Sequence, residues 1–228
     1  MSKINNMKDL TLIIPAKKEQ DSLPIVLKEL EKFNFKSTVI LEQSDIETIE
    51  AIKDSNCKIL YQKNKGYGDA LINGINTTQT EFFCIFNADG SFDPTEINQM
   101  YNKAKKENFD FVFGSRYLKG ASSDDDTIIT FIGNKIFSFI GKIFFSLNIS
   151  DILYTFVLGN VKKAKSLDLK QKDFSFCIEL PIKAKKNNYN IISTIAHERA
   201  RIAGFKKVNA FKDGALILTH MIKLFFKL

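Results

Sequence analysis

The chain has 228 residues, of which 44% are hydrophobic, and this is enough apolar material for one large domain. Its formal net charge is +7, and only three of its 33 basic residues are arginines. The lysines are scattered among acidic residues, with no dense basic tract and no zinc-finger spacing, which argues against a nucleic-acid-binding role.

The first half of the chain alternates short apolar runs with amphipathic stretches. We predict strands at residues 10–14, 38–41, 58–61, 82–86 and 109–113, and helices at residues 21–33, 45–53, 69–77 and 94–106. This alternation predicts an α/β fold with a mostly parallel central sheet and helices on both of its faces.

The second half is richer in Phe and Ile. Residues 128–149 are apolar but are interrupted by glycines, lysines and an asparagine. We predict further elements as a strand at residues 154–158, a helix at 174–185, a strand at 191–196 and an apolar helix from about residue 211 to 226. Residues 120–126 form a candidate mobile loop, and no repeat or linker marks a boundary, so a single domain is expected.

Cysteine usage and hydropathy predict a location in the cytoplasm. Three cysteines in apolar contexts without CxxC spacing predict reduced core residues of a cytoplasmic protein: Cys57, Cys84 and Cys177. The polar start predicts no signal peptide, and no stretch reaches the ~18–20 uninterrupted apolar residues of a membrane span. His197 and His220 are too far from a candidate nucleophile for a hydrolase triad, and we interpret both as surface or packing residues.

The most informative segment is the polar step that follows the apolar run at residues 82–86. Asn87, Asp89 and Ser91 come at the carboxyl end of that strand, where open α/β sheets bind ligands. Their oxygen atoms suit a hard cation carried by a diphosphate. Asp93 and Glu96 predict a capped helix directly afterwards. The alternative to a cation site is that the acidic residues here only mark the start of this helix.

Two further segments carry residues that suit phosphate groups. Gly66 and Gly68 precede a helix, with Lys63 and Lys65 upstream, and indicate either backbone contact with a phosphate or ribose, or a tight turn with close helix packing. Arg116 leaves a strand at the same sheet edge as residues 87–91, which we call the acidic step. This position predicts a phosphate contact rather than a solvated edge.

A third segment concentrates cations around a glycine, and it predicts either a loop that folds over a leaving group or a solvated loop. Its residues are Arg199, Arg201, Gly204, Lys206 and Lys207.

Seven motifs occur in an order that resembles the family 2 glycosyltransferases: IPAKKE, KGYGDALINGI, NADGSFDP, GSRYLKG, DILYTF, FCIEL and RIAGFKK. The resemblance is to the branch with dolichol-phosphate mannose synthases and bacterial polyprenyl-phosphate glycosyltransferases. It implies a glycosyltransferase A fold, a nucleoside-diphosphate sugar donor (UDP- or GDP-hexose), inversion at the anomeric carbon, and Mg²⁺ or Mn²⁺. It also implies a nucleotide-sugar half at residues 1–117 and an acceptor half at residues 118–228.

The resemblance also implies site residues. Those expected to bind the nucleotide sugar are Pro15, Ala16, Glu19, Glu42, Lys65, Gly66, Gly68, Asn87, Ala88 and Asp89. Those expected to hold the metal are Asn87, Asp89 and Ser91. Those expected to act in catalysis are Asp89, Asp151, Glu179, Arg116, Arg201 and Lys207, with Phe156 near the acceptor.

Several positions depart from the family pattern. Asn87 replaces the first Asp of the metal motif, which removes one charge, and Tyr154 and Thr155 replace a Ser and a Gly near the acceptor. An Arg common near position 130 is missing, so whether Lys135 substitutes for it stays open. Glu42 is followed by Gln instead of a second acid, and the two C-terminal membrane helices of some relatives are absent.

These features predict an inverting transferase that moves a hexosyl unit to a polyprenyl phosphate or a cell-envelope glycan. A lipid phosphate needs no strong base because it is already ionised, whereas a sugar hydroxyl would need Asp151 or Glu179. The alternatives are a soluble polysaccharide-building transferase and a nucleotide-sugar-binding pseudoenzyme. Residues 128–149 suggest an interfacial helix pair on an anionic membrane, or else a buried hairpin or a dimer contact.

Overall fold

The computed structural model describes residues 7–204 and 209–226. A seven-stranded sheet has the strand order β3-β2-β1-β4-β7-β5-β8. Its strands are β1 Leu10–Pro15, β2 Lys36–Leu41, β3 Lys58–Tyr61, β4 Phe82–Ile85, β5 Phe111–Ser115, β7 Val157–Asn160 and β8 Ile191–Ile195. Two further strands, β6 Ser122–Ser123 and β9 His197–Glu198, pair in parallel as a separate two-stranded ribbon.

Eight helices are present in the described residues. They are α1 Leu23–Glu31, α2 Ile46–Ala51, α3 Tyr67–Thr77, α4 Ile97–Lys106, α5 Ile128–Phe145, α6 Val161–Ser166, α7 Phe176–Lys186 and α8 Ala210–Phe226. A 3₁₀ turn at Pro94–Glu96 leads into α4, and the Asp93 carboxylate accepts the Thr95 N–H at 2.8 Å, as the predicted N-cap requires.

The strands are apolar at consecutive positions because both faces of the sheet are covered. Ile14 and Cys84 pack on one face with α1 and α4, while Ile13 and Ile85 pack on the other with α3 and α7. The predicted α/β fold with helices on both faces is therefore confirmed. The polar residues of the candidate site lie at the ends of the strands.

The sheet is mostly parallel, as predicted, and β7 runs antiparallel between β4 and β5. The prediction of a helix pair or a buried hairpin at residues 128–149 is wrong, because residues 128–145 form one continuous 18-residue helix, α5. Despite its two lysines, α5 has a mean hydropathy of 1.5, so by length and composition it could cross a membrane.

Helix α5 packs on the domain through a narrow stripe of small and polar residues and through Phe137, Ile140 and Phe145, and it exposes most of its other apolar residues. Asn134, Ser138 and Gly141 are its buried positions. It lies beside α8, where the ring of Phe225 packs edge-on against Phe144 at 5.5 Å. We call the outward apolar residues of the two helices the α5–α8 face: Ile128, Ile129, Phe131, Ile132, Ile136, Phe139, Ile143, Phe144, Phe211, Leu218, Ile222, Phe225 and Phe226.

Replacing two glycines by alanine should change the unfolding free energy in opposite directions. A Cβ at Gly159 in β7 would lie 2.5 Å from the Phe111 ring and 2.8 Å from the Phe83 ring, whereas a Cβ at Gly133 in α5 would meet nothing within 4 Å. We expect Gly159→Ala to lower the unfolding free energy by about 1–3 kcal/mol through overpacking. Gly133→Ala should raise it by up to about 1 kcal/mol through helix propensity. Urea unfolding followed by far-UV circular dichroism measures both, and equal effects would contradict the described packing of β7.

Candidate active site

The acidic step forms a tight, hydrogen-bonded turn at the carboxyl edge of β4. Asp89 Oδ1 accepts the Ser91 N–H at 3.0 Å and the Ser91 hydroxyl at 2.7 Å, and the Asn87 amide donates to that hydroxyl at 3.1 Å. The other carboxylate oxygen, Asp89 Oδ2, faces the guanidinium of Arg201 at 3.8 Å. One carboxylate oxygen of the step is thus engaged within the turn, and the other is turned toward a cation.

The loop that follows β9 lies directly on this step. The Ile202 N–H donates to the Asp89 carbonyl and the Arg199 N–H donates to the Ser91 carbonyl, both at 2.8 Å. Gly90 has a φ of +82°, and a Cβ there would lie 2.5 Å from Ile202, so glycine allows the loop to approach. These contacts fix the position of the residues on either side of Arg201.

Arg199 anchors this loop to the rest of the domain. Its guanidinium forms a bidentate pair with Glu29 at 2.9 and 3.0 Å and also donates to the carbonyls of Gly90 and Phe92. Because its donors are taken up by α1 and the acidic step, Arg199 holds the site together and does not face a ligand.

Among the residues that the structure describes, Arg201 is the cation that faces the Asp89 carboxylate. It donates to Asp125 at 2.7 Å while it lies 3.8 Å from Asp89. Burial alone would lower the pKa of the guanidinium, but its hydrogen bond to Asp125 and the charges of Asp125, Asp89 and Glu19 outweigh burial and raise that pKa. Arg201 therefore remains charged, and the other predicted cations of this loop, Lys206 and Lys207, lie outside the described residues.

Arg116 forms a second, deeper charge cluster. Its guanidinium makes a bidentate pair with Asp151 at 2.8 and 3.0 Å and reaches Glu198 at 3.0 Å, and it stacks over the Tyr154 ring at 4.5 Å. The Asp151 side chain is 0% exposed, and Asn134 also donates to it at 2.6 Å. The sequence predicted a phosphate contact for Arg116, whereas here its side-chain nitrogens donate to protein carboxylates.

The second candidate base is also enclosed. Glu179 is 1% exposed, accepts the backbone N–H groups of Lys170 and Gln171 at 2.8–3.0 Å, and pairs with Lys183 at 2.7 Å. It holds the loop before α7 in place. Both carboxylates for which a base role was predicted, Asp151 and Glu179, thus have their two oxygens bonded to protein groups.

The glycines before α3 accommodate protein backbone. A Cβ at Gly66 would lie 2.1 Å from the Lys172 carbonyl oxygen, and one at Gly68 would lie 2.2 Å from that of Gln171. The Asp69 N–H at the start of the helix donates to the Lys172 carbonyl at 3.1 Å. The backbone of residues 171–173 fills the space that the two glycines leave, which favours the interpretation of a tight turn with close packing. Contact of these glycines with the nucleotide stays a prediction.

The other residues predicted for the nucleotide pocket differ in burial and in their hydrogen-bond partners. Ala16 and Ala88 are buried in the hydrophobic core and support the strand ends from behind. Glu19 accepts the Ser22 hydroxyl at 2.6 Å, and Glu42 pairs with Lys17 at 3.0 Å. Pro15 is half-buried at the end of β1, and Lys65 is exposed.

Sequence reasoning missed three polar contacts near the site. His197 lies between Ser122, at 2.6 Å from Nδ1, and Asp124, at 3.1 Å from Nε2, although the sequence predicted it to be far from a candidate nucleophile. His220 likewise contacts the buried hydroxyl of Ser175 at 2.6 Å. These partners are 75 and 45 residues away along the chain, and no local spacing signals them.

The third missed contact concerns Glu96. It does not complete the predicted capping box, and its Oε1 instead accepts the His197 N–H at 2.7 Å. Burial raises the pKa of Glu96 to about 7. This carboxyl group therefore braces the ribbon from the α4 side and is partly protonated near neutral pH.

The family model described as "Glycosyl transferase family 2" matches residues 11–168, and the chain belongs to this family. It is 26% identical over 230 residues to a UDP-N-acetylglucosamine–dolichyl-phosphate N-acetylglucosaminyltransferase of Methanococcus voltae, covering 88% of this chain and 91% of that protein. It is also 25% identical over 224 residues to an uncharacterised protein of Methanocaldococcus jannaschii, covering 92% of both chains.

Solved structures share the fold at low sequence identity. Glucosyl-3-phosphoglycerate synthase from Mycobacterium tuberculosis, in complex with Mn²⁺, UDP and phosphoglyceric acid, has a TM-score of 0.75 at 12% identity over 95% of this chain and 78% of that one. Mannosyl-3-phosphoglycerate synthase from Rubrobacter xylanophilus has a TM-score of 0.73 at 11% identity, covering 94% and 72%. These likenesses confirm the predicted glycosyltransferase A architecture.

Asp151→Asn tests whether Asp151 acts as an anchor. Its neutral amide would leave the largely buried Arg116 short of charge compensation, so we expect a loss of about 3 kcal/mol in unfolding free energy. The control is Asp168→Asn, because Asp168 pairs with Lys170 in solvent, and no measurable change is expected. Urea unfolding measures both. Unchanged stability of Asp151→Asn together with lost sugar transfer would favour a catalytic base instead.

Proposed function

We propose that this chain transfers a hexosyl unit, with inversion, from a nucleoside-diphosphate sugar to a polyprenyl phosphate. The observation that carries the proposal is the juxtaposition of Asp89 and Arg201 at the carboxyl edge of the sheet in a family 2 glycosyltransferase. The relative named as a dolichyl-phosphate N-acetylglucosaminyltransferase supports this acceptor class.

The acidic step suits a divalent ion that the substrate helps to hold. The described residues contain no group of three His, Cys, Asp or Glu side chains that could hold a metal on their own. Asp89 provides one carboxylate, and Asn87 and Ser91 provide neutral oxygens, so Mg²⁺ or Mn²⁺ would need diphosphate oxygens and water to complete its ligands. When bound, such an ion supplies Lewis-acid stabilisation of the leaving diphosphate.

Arg201 supplies positive charge for the same leaving group. Its planar guanidinium can donate two hydrogen bonds to phosphate oxygens, and its position beside Asp89 supports a role in stabilising the negative charge of the leaving diphosphate. Lys207, which lies outside the described residues, is proposed to contribute positive charge as well. Arg116 supports this arrangement indirectly, because it holds Glu198 and with it the strand that leads to Arg201.

The enclosure of the two candidate bases favours a phosphate acceptor. Asp151 and Glu179 both have their carboxylate oxygens hydrogen-bonded within the protein, which leaves them poorly placed to deprotonate a sugar hydroxyl. A lipid phosphate is already ionised near neutral pH, since its second pKa is about 6, and it can attack without a strong base.

We further propose that the α5–α8 face rests on the cytoplasmic surface of an anionic membrane. The face exposes large apolar side chains of both helices, and Lys135, Lys142, Lys212 and Lys223 accompany them, with Asp213 as the acidic residue of the two helices. Apolar side chains flanked by lysines bind anionic lipid headgroups and the adjoining acyl region. Such contact would bring the site to its lipid-linked acceptor.

Asp89→Ala tests the proposed transfer. Purified protein is incubated with Mn²⁺, a polyprenyl phosphate and, separately, UDP-GlcNAc, UDP-glucose and GDP-mannose, and the glycolipid formed is quantified. We expect one donor to be used and Asp89→Ala to lower its turnover by about 100-fold or more, because the charge that holds the cation is lost.

The control for this experiment is Asp54→Ala, since Asp54 is exposed at the end of the α2 region and should leave turnover unchanged. Asn87→Asp adds a second carboxylate and should strengthen Mn²⁺ binding in the presence of the nucleotide. Full turnover by Asp89→Ala would refute the metal proposal. Donor binding without turnover by the unaltered chain would favour a pseudoenzyme.

A matched pair of isoleucines tests the membrane contact. Ile132 on the α5–α8 face is 51% exposed, and Ile25 on α1, which packs on the opposite face of the sheet, is 52% exposed. In flotation with phosphatidylglycerol-containing liposomes at low salt, we expect Ile132→Glu to reduce the bound fraction several-fold and Ile25→Glu to leave it unchanged. Failure of the unaltered chain to float would contradict the proposal and favour packing against another protein copy.

A further inference from the structure

Asp125 and Arg201 form an ion pair beside the ribbon of β6 and β9. Asp125 follows β6, and Arg201 follows β9. Because the two strands are parallel, with Ser123 opposite Glu198, the chain segments that leave them run in the same direction. This places the Asp125 carboxylate 2.7 Å from the Arg201 guanidinium.

The turn that carries Asp125 is built to hold its position. The Ser123 hydroxyl accepts the N–H groups of Asp125 at 3.3 Å and Asp126 at 2.9 Å, and it donates to Glu198. The Asp124 N–H donates to the Glu198 carbonyl at 2.8 Å. The loop that was predicted to be mobile is therefore hydrogen-bonded to Glu198 in β9, the strand that precedes Arg201.

The two distances from Arg201 show which acid holds it. A charge-assisted hydrogen bond forms at 2.7 Å to Asp125, whereas 3.8 Å to Asp89 is beyond hydrogen-bond length. All three side chains are largely shielded from solvent, so their charges are only partly screened. Without Asp125, the nearest described carboxylate that attracts Arg201 would be Asp89.

We propose that Asp125 is a positioning residue that keeps Arg201 from closing on Asp89 and so keeps Asp89 Oδ2 accessible to the divalent ion. The inference rests on the proposed function, because it assigns Asp89 to the ion and Arg201 to the diphosphate. Asp125 balances the charge of the guanidinium while the ion enters, and the diphosphate then offers Arg201 a second anionic partner.

A double-mutant cycle tests this role through metal binding instead of turnover. Free Mn²⁺ is measured by electron paramagnetic resonance during titration of the protein with Mn²⁺ at saturating UDP, or GDP if the donor screen selects it. We expect Asp125→Ala to weaken Mn²⁺ binding about five- to tenfold in the unaltered background, within the range of couplings between contacting residues. In the Arg201→Ala background the same change should have less than about a twofold effect, since no guanidinium is left to compete.

Two control variants accompany the double-mutant cycle. Asp124→Ala alters the neighbouring acid, which pairs with His197 and not with Arg201, and should leave Mn²⁺ binding unchanged. Asp125→Asn keeps the side-chain shape and should reproduce the effect of Asp125→Ala if that variant folds poorly. Equal loss in both backgrounds, or no loss in either, would overturn the positioning role. Absence of Mn²⁺-dependent nucleotide binding by the unaltered chain would instead refute the proposed function, and this inference with it.

Discussion

The site depends on the buried pairing of Arg116 with Asp151. A charge pair of this kind is costly to bury unless every donor and acceptor is matched, and here Asn134 from α5 and Glu198 from β9 complete the set. The cluster thereby joins the end of β5 to α5 and to the ribbon. Since the ribbon leads directly to Arg201, the position of Arg201 relative to the acidic step depends on this pair.

The three arginines have two different roles, because two of them hold the site together and the third faces the Asp89 carboxylate. Arg116 and Arg199 each form a bidentate pair with one carboxylate and add further hydrogen bonds, a geometry that a lysine ammonium cannot reproduce. The side chain of Arg201 instead faces the Asp89 carboxylate, and it donates a hydrogen bond to Asp125 in the turn after β6. In a chain that otherwise uses lysine, arginine therefore marks the places where a planar fork is required, and two of these are structural.

The sequence predicted what local spacing determines and missed what distant contacts determine. The buried strands and the Asp93 cap follow from residues within one turn or one strand, and they were found. The reason for Gly66 and Gly68 lies about a hundred residues away in the backbone of residues 171–173, so a helix start with two glycines could not reveal whether ligand or protein fills the space. The antiparallel direction of β7 and the contact between Ser122 and His197 depend on tertiary pairing in the same way.

Helix α5 satisfies two demands, and these decide how it can meet a membrane. Its length and hydropathy would allow it to cross a bilayer. Crossing would remove Asn134 from Asp151 and Ser138 from the Ile152 N–H, and it would leave a buried carboxylate without one of its donors. The helix therefore keeps Asn134 and Ser138 bonded to the domain and leaves most of its apolar residues exposed. The proposed membrane contact would accordingly be made along the side of α5 and not by crossing the bilayer.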